Sequence, residues 1–297
     1  MAMRSKVIKE LLENGVHFGH QTNKWNPKME KFIFGEKSGI YIIDLKKTEE
    51  ALQTAENFLT ELVANGKTVL FAGTKKQAKQ IIKDEALRCG MFFVNERWLG
   101  GCLTNFTTIR RSVEKLNQIQ EMKESGIYDS LSKKEKSQRD KEENKLLKNL
   151  EGIRNMTELP HCLIVIDAEA EDIAIKEARK IGIPVIALID TNCNPDLIEF
   201  PIPGNDDAIR AIKYIVSTLA NAVETGKKGV IKKTEKSAEV SSEPAEKEKE
   251  IKETQAMPEE QSRTAEAAPE KKEETAAGQP KVEEVLEGDI KLDDKAE

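Results

Sequence analysis

The sequence of 297 residues predicts an α/β fold in which helices cover both faces of a doubly wound parallel sheet. The first observation is that apolar runs such as 162–167 and 184–190 are continuous, whereas a strand with one exposed face alternates. The second is that amphipathic segments such as 171–181 and 206–224 separate these runs. Buried strands joined by amphipathic helices are typical of a parallel sheet.

The elements follow from the spacing of apolar residues and from the residues that begin and end helices. Ser5 is a suitable N-cap for an opening helix, and Gly15 ends this helix. Gly66 ends the helix predicted at 46–65. The later elements are, in chain order, β-rich runs within 32–44, helix 46–65, strand 68–73, helix 75–88, strand 91–94, strand 162–167, helix 171–181, strand 184–190 and helix 206–224.

One segment, 105–152, contains no predicted strand. A spacing of three and four predicts a first helix, with its apolar side at Ile109, Val113 and Leu116. A second helix is predicted from Ser132, but its residues 133–145 are all polar. We therefore expect an antiparallel helical hairpin that projects from the α/β body, its base packed and its tip in solvent. For the distal part, a merely solvated charged helix is the alternative.

The last segment, 227–297, differs in composition from the rest of the chain. It has 14 Lys and Arg against 20 Asp and Glu and no aromatic residue, whereas 1–226 has 33 residues of each charge. Such a segment buries too little apolar surface to offset the entropy of ordering. The sequence thus predicts three parts: an α/β domain formed by 1–104 and 153–226, an inserted hairpin at 105–152, and a disordered acidic tail at 227–297.

The cysteine residues and the apolar runs indicate a soluble cytoplasmic protein. Cys89, Cys102, Cys162 and Cys193 form no C-x-x-C pair, so neither a zinc ribbon nor a disulfide framework is indicated. No apolar run reaches 18 residues, and the N-terminus lacks a signal-peptide core. We expect no membrane association.

The segment FAGTKKQ, 71–77, is the nearest approach to a phosphate loop, because it leads from a strand through a glycine into a helix. A helix N-terminus with Lys75 or Lys76 is suited to an anion, since these cations are unfavourable there without one. RNA phosphate and a solvent-exposed turn are both open interpretations. G-x-G-x-x-G, the P-loop and G-x-S-x-G are absent, which argues against nucleotide-dependent or hydrolytic chemistry.

Acidic residues follow several strands, where α/β enzymes place catalytic groups. Glu169, Glu171 and Asp172 are better explained as first-turn acids of the next helix. Asp190, Asp206 and Asp207 are candidate Mg²⁺ ligands, although Asp206 also suits a helix N-cap. A metal site at His17 and His20 lacks a third ligand, so packing or RNA contact is favoured for these two.

Two segments combine cations with aromatic residues, as RNA-binding surfaces do. In 17–32, Lys24, Lys28 and Lys31 alternate with Trp25 and Phe32, which otherwise serve as core anchors. In ERWLGGCLTNF, 96–106, two glycines allow a tight turn beside a buried Trp98, so that Arg97 and Asn105 face phosphate and ribose. Arg110 and Arg111 extend this second surface at the base of the hairpin.

Five stretches in this order resemble the family of the bacterial small-subunit ribosomal protein two. They are GVHFGHQTNKWNPKM, FAGTKKQA, ERWLGGCLTNF, LPHCLIVIDAEAEDIAIKEARKIGIPVIALIDTNCNPD and FPIPGNDDAIRAI, within a match over about 3–226. The resemblance implies a flavodoxin-like domain with an inserted coiled-coil hairpin and no enzymatic activity or cofactor. It also implies binding to ribosomal RNA between head and body of the small subunit, and recruitment of the multi-OB-fold ribosomal protein one. The long tail exceeds the usual family pattern.

The expected partners are therefore ribosomal RNA and neighbouring ribosomal proteins, with no DNA. The predicted RNA-binding residues are His17, His20, Lys24, Trp25, Lys28, Lys31, Lys75, Lys76, Arg97, Asn105, Arg110 and Arg111. Two other classes stay open: a nucleotide-binding α/β enzyme, and a free-standing protein-interaction module that acts through its hairpin and tail.

Overall fold

The structure, a computed structural model, describes the backbone of residues 2–240 and the side chains of residues 6–229. The helices described there are α1 (Ala2–Glu13), α2 (Leu45–Ala64), α3 (Lys79–Cys89), α4 (Phe106–Glu124), α5 (Lys133–Leu150), α6 (Asp172–Ile181) and α7 (Ile209–Val240). The strands are β1 (Phe18–Gln21), β2 (Ile33–Lys37), β3 (Ile40–Ile43), β4 (Val69–Ala72), β5 (Phe92–Val94), β6 (Cys162–Ile166), β7 (Val185–Ile189) and β8 (Phe200–Pro203). Among these described helices, none combines the length and the apolar character needed to cross a membrane.

The larger sheet is parallel, with the spatial order β5-β4-β6-β7-β8. Counted along the chain, this order is 2-1-3-4-5, which is the order of flavodoxin-like sheets. The direction of winding reverses between β4 and β6, and the carboxyl ends of these two strands border the crevice where such sheets bind ligands. The parallel sheet predicted from continuous apolar runs is confirmed, since β4, β6 and β7 are buried along their whole length.

Helices cover both faces of this sheet, and each face has its own core. On one face, α2, α3 and α7 pack against side chains such as Phe71 and Ile164. On the other face, α6, the start of α4 and the loop 98–103 pack against side chains such as Leu70. Successive side chains of a strand point to opposite faces, so the neighbours Leu70 and Phe71 belong to different cores.

Strand β8 is absent from the sequence-based prediction. Its sequence, FPIP, contains Pro201 and Pro203, which lack the N–H group that a strand ladder uses. In the described sheet β8 lies at the edge and pairs with β7 alone. Prolines are tolerated at such an edge, because one side of the strand needs no partner.

A smaller antiparallel sheet has the order β1-β3-β2. The two β-rich runs predicted within 32–44 form β2 and β3, whereas β1 falls in a segment for which no strand is predicted. Gly19 of β1 lies so close to Thr191 that a Cβ atom at this glycine would be 2.6 Å from the Thr191 Cγ2 atom. The smaller sheet therefore packs against the loop that follows β7.

Helices α4 and α5 fall where the hairpin is predicted and contact each other. Lys115 pairs with Glu142, and the Lys123 Nζ atom lies 2.8 Å from Asp140 Oδ1, so the two helices run in opposite directions. The predicted apolar side of α4 is buried, at Ile109, Val113, Leu116 and Ile119. Supercoiling of the pair stays a prediction.

Helix α7 passes the boundary at 227 that composition predicts for the disordered tail, because it runs to Val240. The first residues beyond this boundary still contact the body: the Lys227 Nζ atom donates to the Gly90 carbonyl at 3.0 Å. Residues 209–240 contain no proline, and Ala, Glu and Lys propagate a helix that has already begun. The rest of the predicted tail, 241–297, lies outside the described residues.

Candidate nucleic-acid interface

The segments that sequence analysis assigns to RNA binding meet at one edge of the larger sheet. The loops after the carboxyl ends of the parallel strands hold Lys75 and Lys76 after β4, Arg97 after β5, Asp167 after β6, Asp190 after β7 and Asp206 after β8. The N-terminal segment joins them through two backbone contacts. His20 N donates to Thr191 Oγ1 at 2.9 Å, and Asn26 N donates to the Thr191 carbonyl at 2.8 Å.

The Lys75 ammonium group lies among three aspartates at this edge. Its Nζ atom is 2.6 Å from Asp206 Oδ1, 2.6 Å from Asp207 Oδ1 and 3.3 Å from Asp167 Oδ2. This corrects the interpretation of Lys75 as a cation that needs an external anion, since the anions come from the ends of β6 and β8. The helix predicted from 75 begins only at Lys79, so Lys75 also lies outside it.

His20 extends this cluster towards the N-terminal segment. The His20 Nδ1 atom is 3.0 Å from Asp190 Oδ2, and Nε2 is 3.6 Å from Asp207 Oδ2. The His20 side chain is 20% exposed and the Asp190 side chain 2%, so the imidazole covers a buried carboxylate. His20 therefore faces the chain's own acids, and its assignment as an RNA contact is not favoured by this geometry.

Burial and mutual charge shift the pKa values of the cluster. Burial, together with the charges of Asp167 and Asp190, raises the pKa of Asp206 to about 7. Burial lowers the pKa of Lys75, but its hydrogen bonds to Asp206 and Asp207 outweigh this, and the pKa is raised overall. The contact with Asp190 raises the pKa of His20. These groups hold one another in place through charge, in a region of low dielectric.

The candidate Mg²⁺ ligands Asp190 and Asp206 belong to the same cluster. Oxygen, nitrogen and sulfur atoms of His20, Asp206 and Asp207, and of Asp167, Cys193 and Asp206, lie within 4.8 Å of one another. Asp206 is fully buried and its Oδ2 atom has no hydrogen-bond partner among the described residues. The Lys75 ammonium group already pairs with Asp206 at this point. A metal at Asp190 and Asp206 stays a prediction. The expected N-cap role of Asp206 is not seen, because α7 begins only at Ile209; in the turn before it, Asn205 Oδ1 accepts from the backbone N–H groups of Asp207 and Ala208.

In the N-terminal segment, the predicted contacts differ in how much of them the fold itself uses. Lys28 pairs with Asp196 at 2.5 Å, whereas Lys24 is exposed and without an ion pair to any described residue. The Lys31 Nζ atom lies 5.0 Å from the centre of the Phe32 ring. Trp25 is half-buried, with its ring centre 5.1 Å from that of Tyr41.

His17 is half-buried at the start of this segment. Its ring centre is 4.0 Å from that of Phe18, and burial lowers the pKa of the imidazole. Its Nδ1 atom is buried without a partner among the described residues. Packing is therefore the role that its surroundings support best.

The loop 98–104 is organised around one carboxylate, that of Glu177 in α6. Glu177 Oε1 accepts from Gly101 N at 2.7 Å and from Trp98 Nε1 at 3.3 Å. Glu177 Oε2 accepts from Leu103 N at 3.0 Å and from the N and Oγ1 atoms of Thr104, both at 3.1 Å. Gly101 has φ +87°, a conformation that favours glycine. The amide groups of Gly101, Leu103 and Thr104 thus point inward to Glu177, and Gly101 serves the turn of the loop.

The side chains that flank this loop point the other way. Arg97 and Asn105 are exposed, and the Asn105 Oδ1 atom accepts a hydrogen bond from Thr108 Oγ1 at 2.9 Å. Arg111 is exposed as well, whereas the half-buried Arg110 donates to the Met156 carbonyl at 3.0 Å. Trp98 is buried in the core, as predicted.

Sequence reasoning missed Glu177 and gave Asp167 no specific partner. A signal for Glu177 exists, because it falls three residues after Ala174, on the buried side of α6 that also includes Ala178. A charged residue on a buried helical side needs partners. Which donors it finds depends on the path of a loop more than 70 residues earlier.

These features define an α/β protein in which ion pairs of the chain itself occupy part of the carboxyl edge of the larger sheet, and exposed cations border that edge. Residues 11–226 match the family model described as "Ribosomal protein S2", and the chain belongs to this family. A relative from Koribacter versatilis (strain Ellin345), described as "Small ribosomal subunit protein uS2", is 52% identical over 240 residues, which cover 81% of this chain and 80% of the relative. A relative of the same description from Endomicrobium trichonymphae is 54% identical over 225 residues, 76% of this chain and 92% of the relative.

Proposed function

We propose that this chain is a structural constituent of the small ribosomal subunit in the cytoplasm, where it serves translation by binding ribosomal RNA between head and body. The family match over 11–226 supports the assignment to the subunit. The two relatives, which carry the name of a small-subunit protein, support it as well.

The observation that carries RNA binding is a set of exposed cations without an intramolecular carboxylate partner. Among the predicted RNA-binding residues, the exposed cations without an ion pair to a described carboxylate are Lys24, Lys31, Lys76, Arg97 and Arg111. Three of them, Lys24, Lys76 and Arg97, lie on segments at the carboxyl edge of the larger sheet. Cations of this kind neutralise phosphate charges and release counterions, so the binding they provide weakens as salt increases.

The alternative of a nucleotide-binding enzyme is disfavoured by the crevice itself. A Cβ atom at Gly73 would lie 2.3 Å from Ile82 Cδ1, so this glycine makes room for the core and not for a phosphate. Asp167, Asp206 and Asp207 surround the one lysine of the loop that turns inward, and carboxylates repel phosphate. We expect no thermal stabilisation of the pure protein by ATP, NAD or flavin with Mg²⁺, whereas a shift of several degrees with one of them supports the enzyme.

We also propose contacts with neighbouring small-subunit proteins, including recruitment of the multi-OB-fold ribosomal protein one, with α4 and α5 contributing to protein and RNA packing. Exposed polar side chains along α5 support a role outside the core. The test replaces 117–143 by three glycines, which span the distance of about 8–10 Å between adjacent helices. The variant should remain folded and recruit less of the multi-OB-fold protein to subunits; equal recruitment excludes these helices.

The function is tested by cosedimentation of the full chain with small subunits that lack it, at low and high salt, followed by crosslink mapping on the RNA. Binding that weakens with salt and crosslinks from the segments 17–32 and 96–111 support the proposal. Trp25→Ala should weaken this association more than it lowers the melting temperature, because the ring is only half-buried. Retention of the chain in the supernatant at low salt contradicts the proposal. That result favours the alternative of a free-standing protein-interaction module.

A further inference from the structure

We propose that Glu177 is the positioning residue of the RNA-binding loop: its carboxylate shapes 98–104 so that Arg97 and Asn105 are presented to RNA. This inference rests on the proposed function, because it assigns a cause to the orientation of two proposed RNA contacts. Glu177 itself is buried, so it acts through the loop and not by touching RNA.

All five donors to this carboxylate come from one loop. Trp98, Gly101, Leu103 and Thr104 supply an indole N–H, three backbone N–H groups and one hydroxyl. The carboxylate is carried by α6, a regular helix packed on the sheet. One side chain therefore fixes both the shape of the loop and its position relative to the body.

The position of Glu177 requires an ionised carboxylate. An ionised carboxylate is an acceptor only, with about four lone-pair sites, and here both oxygens face donors. Glutamine would bring an NH₂ group against N–H groups, and aspartate is one methylene shorter. Burial raises the pKa of Glu177, but the N–H groups of Gly101, Thr104 and Leu103 outweigh it, so the pKa is lowered overall and the group is ionised at neutral pH.

The charge of Glu177 is balanced without an ion pair to any described residue. Within the described residues Glu177 has no lysine, arginine or histidine at ion-pair distance, so the N–H and O–H groups of the loop balance its charge. A carboxylate satisfied in this way does not need Arg97, which remains exposed for an external anion. Arg97 and Asn105 stand at the two ends of the bonded stretch, and a loop that is already ordered loses less freedom when it binds.

The first experiment uses the free protein, with Trp25→Phe as the parent so that Trp98 is the remaining indole. Glu177→Gln should move the Trp98 emission to longer wavelength and shift the Gly101 amide proton upfield in an NMR spectrum. Thr104→Val, which removes one hydroxyl donor and keeps the backbone, should cause a smaller change of the same sign. Ile175→Val, a buried change on the same helix, should cause neither. Unchanged signals in both Glu177→Gln and Thr104→Val overturn the role of Glu177 and leave the proposed function intact.

The second experiment is a double-mutant cycle for binding to small subunits that lack the protein. Arg97→Ala should weaken binding several-fold in the natural chain and in the Ile175→Val chain, but less than twofold in the Glu177→Gln chain, because the arginine is no longer presented there. The same is expected, to a smaller degree, in the Thr104→Val chain, which keeps the test valid if Glu177→Gln does not fold. If Arg97→Ala weakens binding in the Glu177→Gln and Thr104→Val chains as much as in the natural chain, the positioning role is overturned. No Arg97 effect in the natural chain overturns the proposed RNA contact itself, whatever the spectra show.

Discussion

The Lys75 cluster and the loop around Glu177 lie in the same protein and solve opposite problems. In the Lys75 cluster three carboxylates of the chain pair with one cation, so the charge of Lys75 is balanced within the fold. In the loop a carboxylate is balanced by N–H and O–H groups, so the neighbouring Arg97 keeps its charge for another molecule. A cation after a strand therefore indicates a phosphate site only when the acids around it already have other partners.

The largest effect is expected when the Lys75 cluster loses its cation. Lys75→Met should lower the free energy of unfolding by about 3 kcal/mol, because Asp206 and Asp167 are left buried and uncompensated. Lys76→Met is the matched control. Because Lys76 is exposed, this substitution should change the free energy of unfolding by less than about 0.5 kcal/mol. Both are measured by urea unfolding at pH 7. Equal effects of the two substitutions would remove the distinction between paired and free cations.

The next effect is a pH dependence that belongs to the same cluster. The pKa of Asp206 is raised to about 7 from the unfolded value of 3.8, so the folded chain binds the extra proton in this window. Stability from this group is present at low pH and falls as pH rises from about 4 to 7, by at most about 1.4 kcal/mol per pH unit. The charged and titratable groups of the same cluster that face Asp206 are Lys75, Asp167, Asp190, Asp207 and His20.

The measurement compares unfolding of the natural chain and Asp206→Asn from pH 4 to 8 in the presence of EDTA, which excludes a bound divalent ion. The free energy of unfolding of the natural chain minus that of Asp206→Asn should increase as pH falls from about 7 to 4, because only the natural chain gains a proton on Asp206 when it folds. The pKa of His20 is also raised, so the stability that His20 contributes declines as pH rises above its unfolded value of 6.5. This decline is present in both chains. A difference that stays constant or decreases as pH falls would mean that the folded chain does not hold the extra proton on Asp206.

A smaller effect distinguishes the two glycines of the loop. Gly101→Ala should cost about 1–2 kcal/mol, because φ is +87° and the new Cβ atom would lie 3.1 Å from Asn105 Cβ. Gly100→Ala should be nearly neutral, since a Cβ atom there meets no described atom within 4 Å. Thermal unfolding of both variants checks this. A similar loss for both would mean that the turn has no special need for glycine at 101.

Much of the fold is predictable from the sequence because it follows from local patterns. Continuous apolar runs predict β4, β6 and β7, and helical spacing predicts the buried side of α4. The prolines of β8 mask an edge strand, and composition alone misses the helix that continues beyond 227. Local patterns fail in these places because the neighbouring strand and the helix already formed decide the outcome.

The candidate site is less predictable, because its pairings join residues far apart in the chain. The exposed positions of Lys24, Arg97 and Arg111 agree with the sequence-based expectation. The partners of Lys75 lie at 167, 206 and 207, and the donors to Glu177 lie at 98–104, so no short window contains either set. Topology brings them together at the carboxyl ends of parallel strands, where several loops converge.

The central claim is that exposed cations at the carboxyl edge bind RNA while Lys67, an exposed lysine before β4 at the opposite edge, does not. The most direct test is the salt dependence of binding to small subunits that lack the protein, compared among the natural chain, Arg97→Ala and Lys67→Ala. Arg97→Ala should reduce the slope of log K against log salt by about one, and Lys67→Ala should leave it unchanged. An unchanged slope for Arg97→Ala, or an equal loss for Lys67→Ala, would contradict this claim.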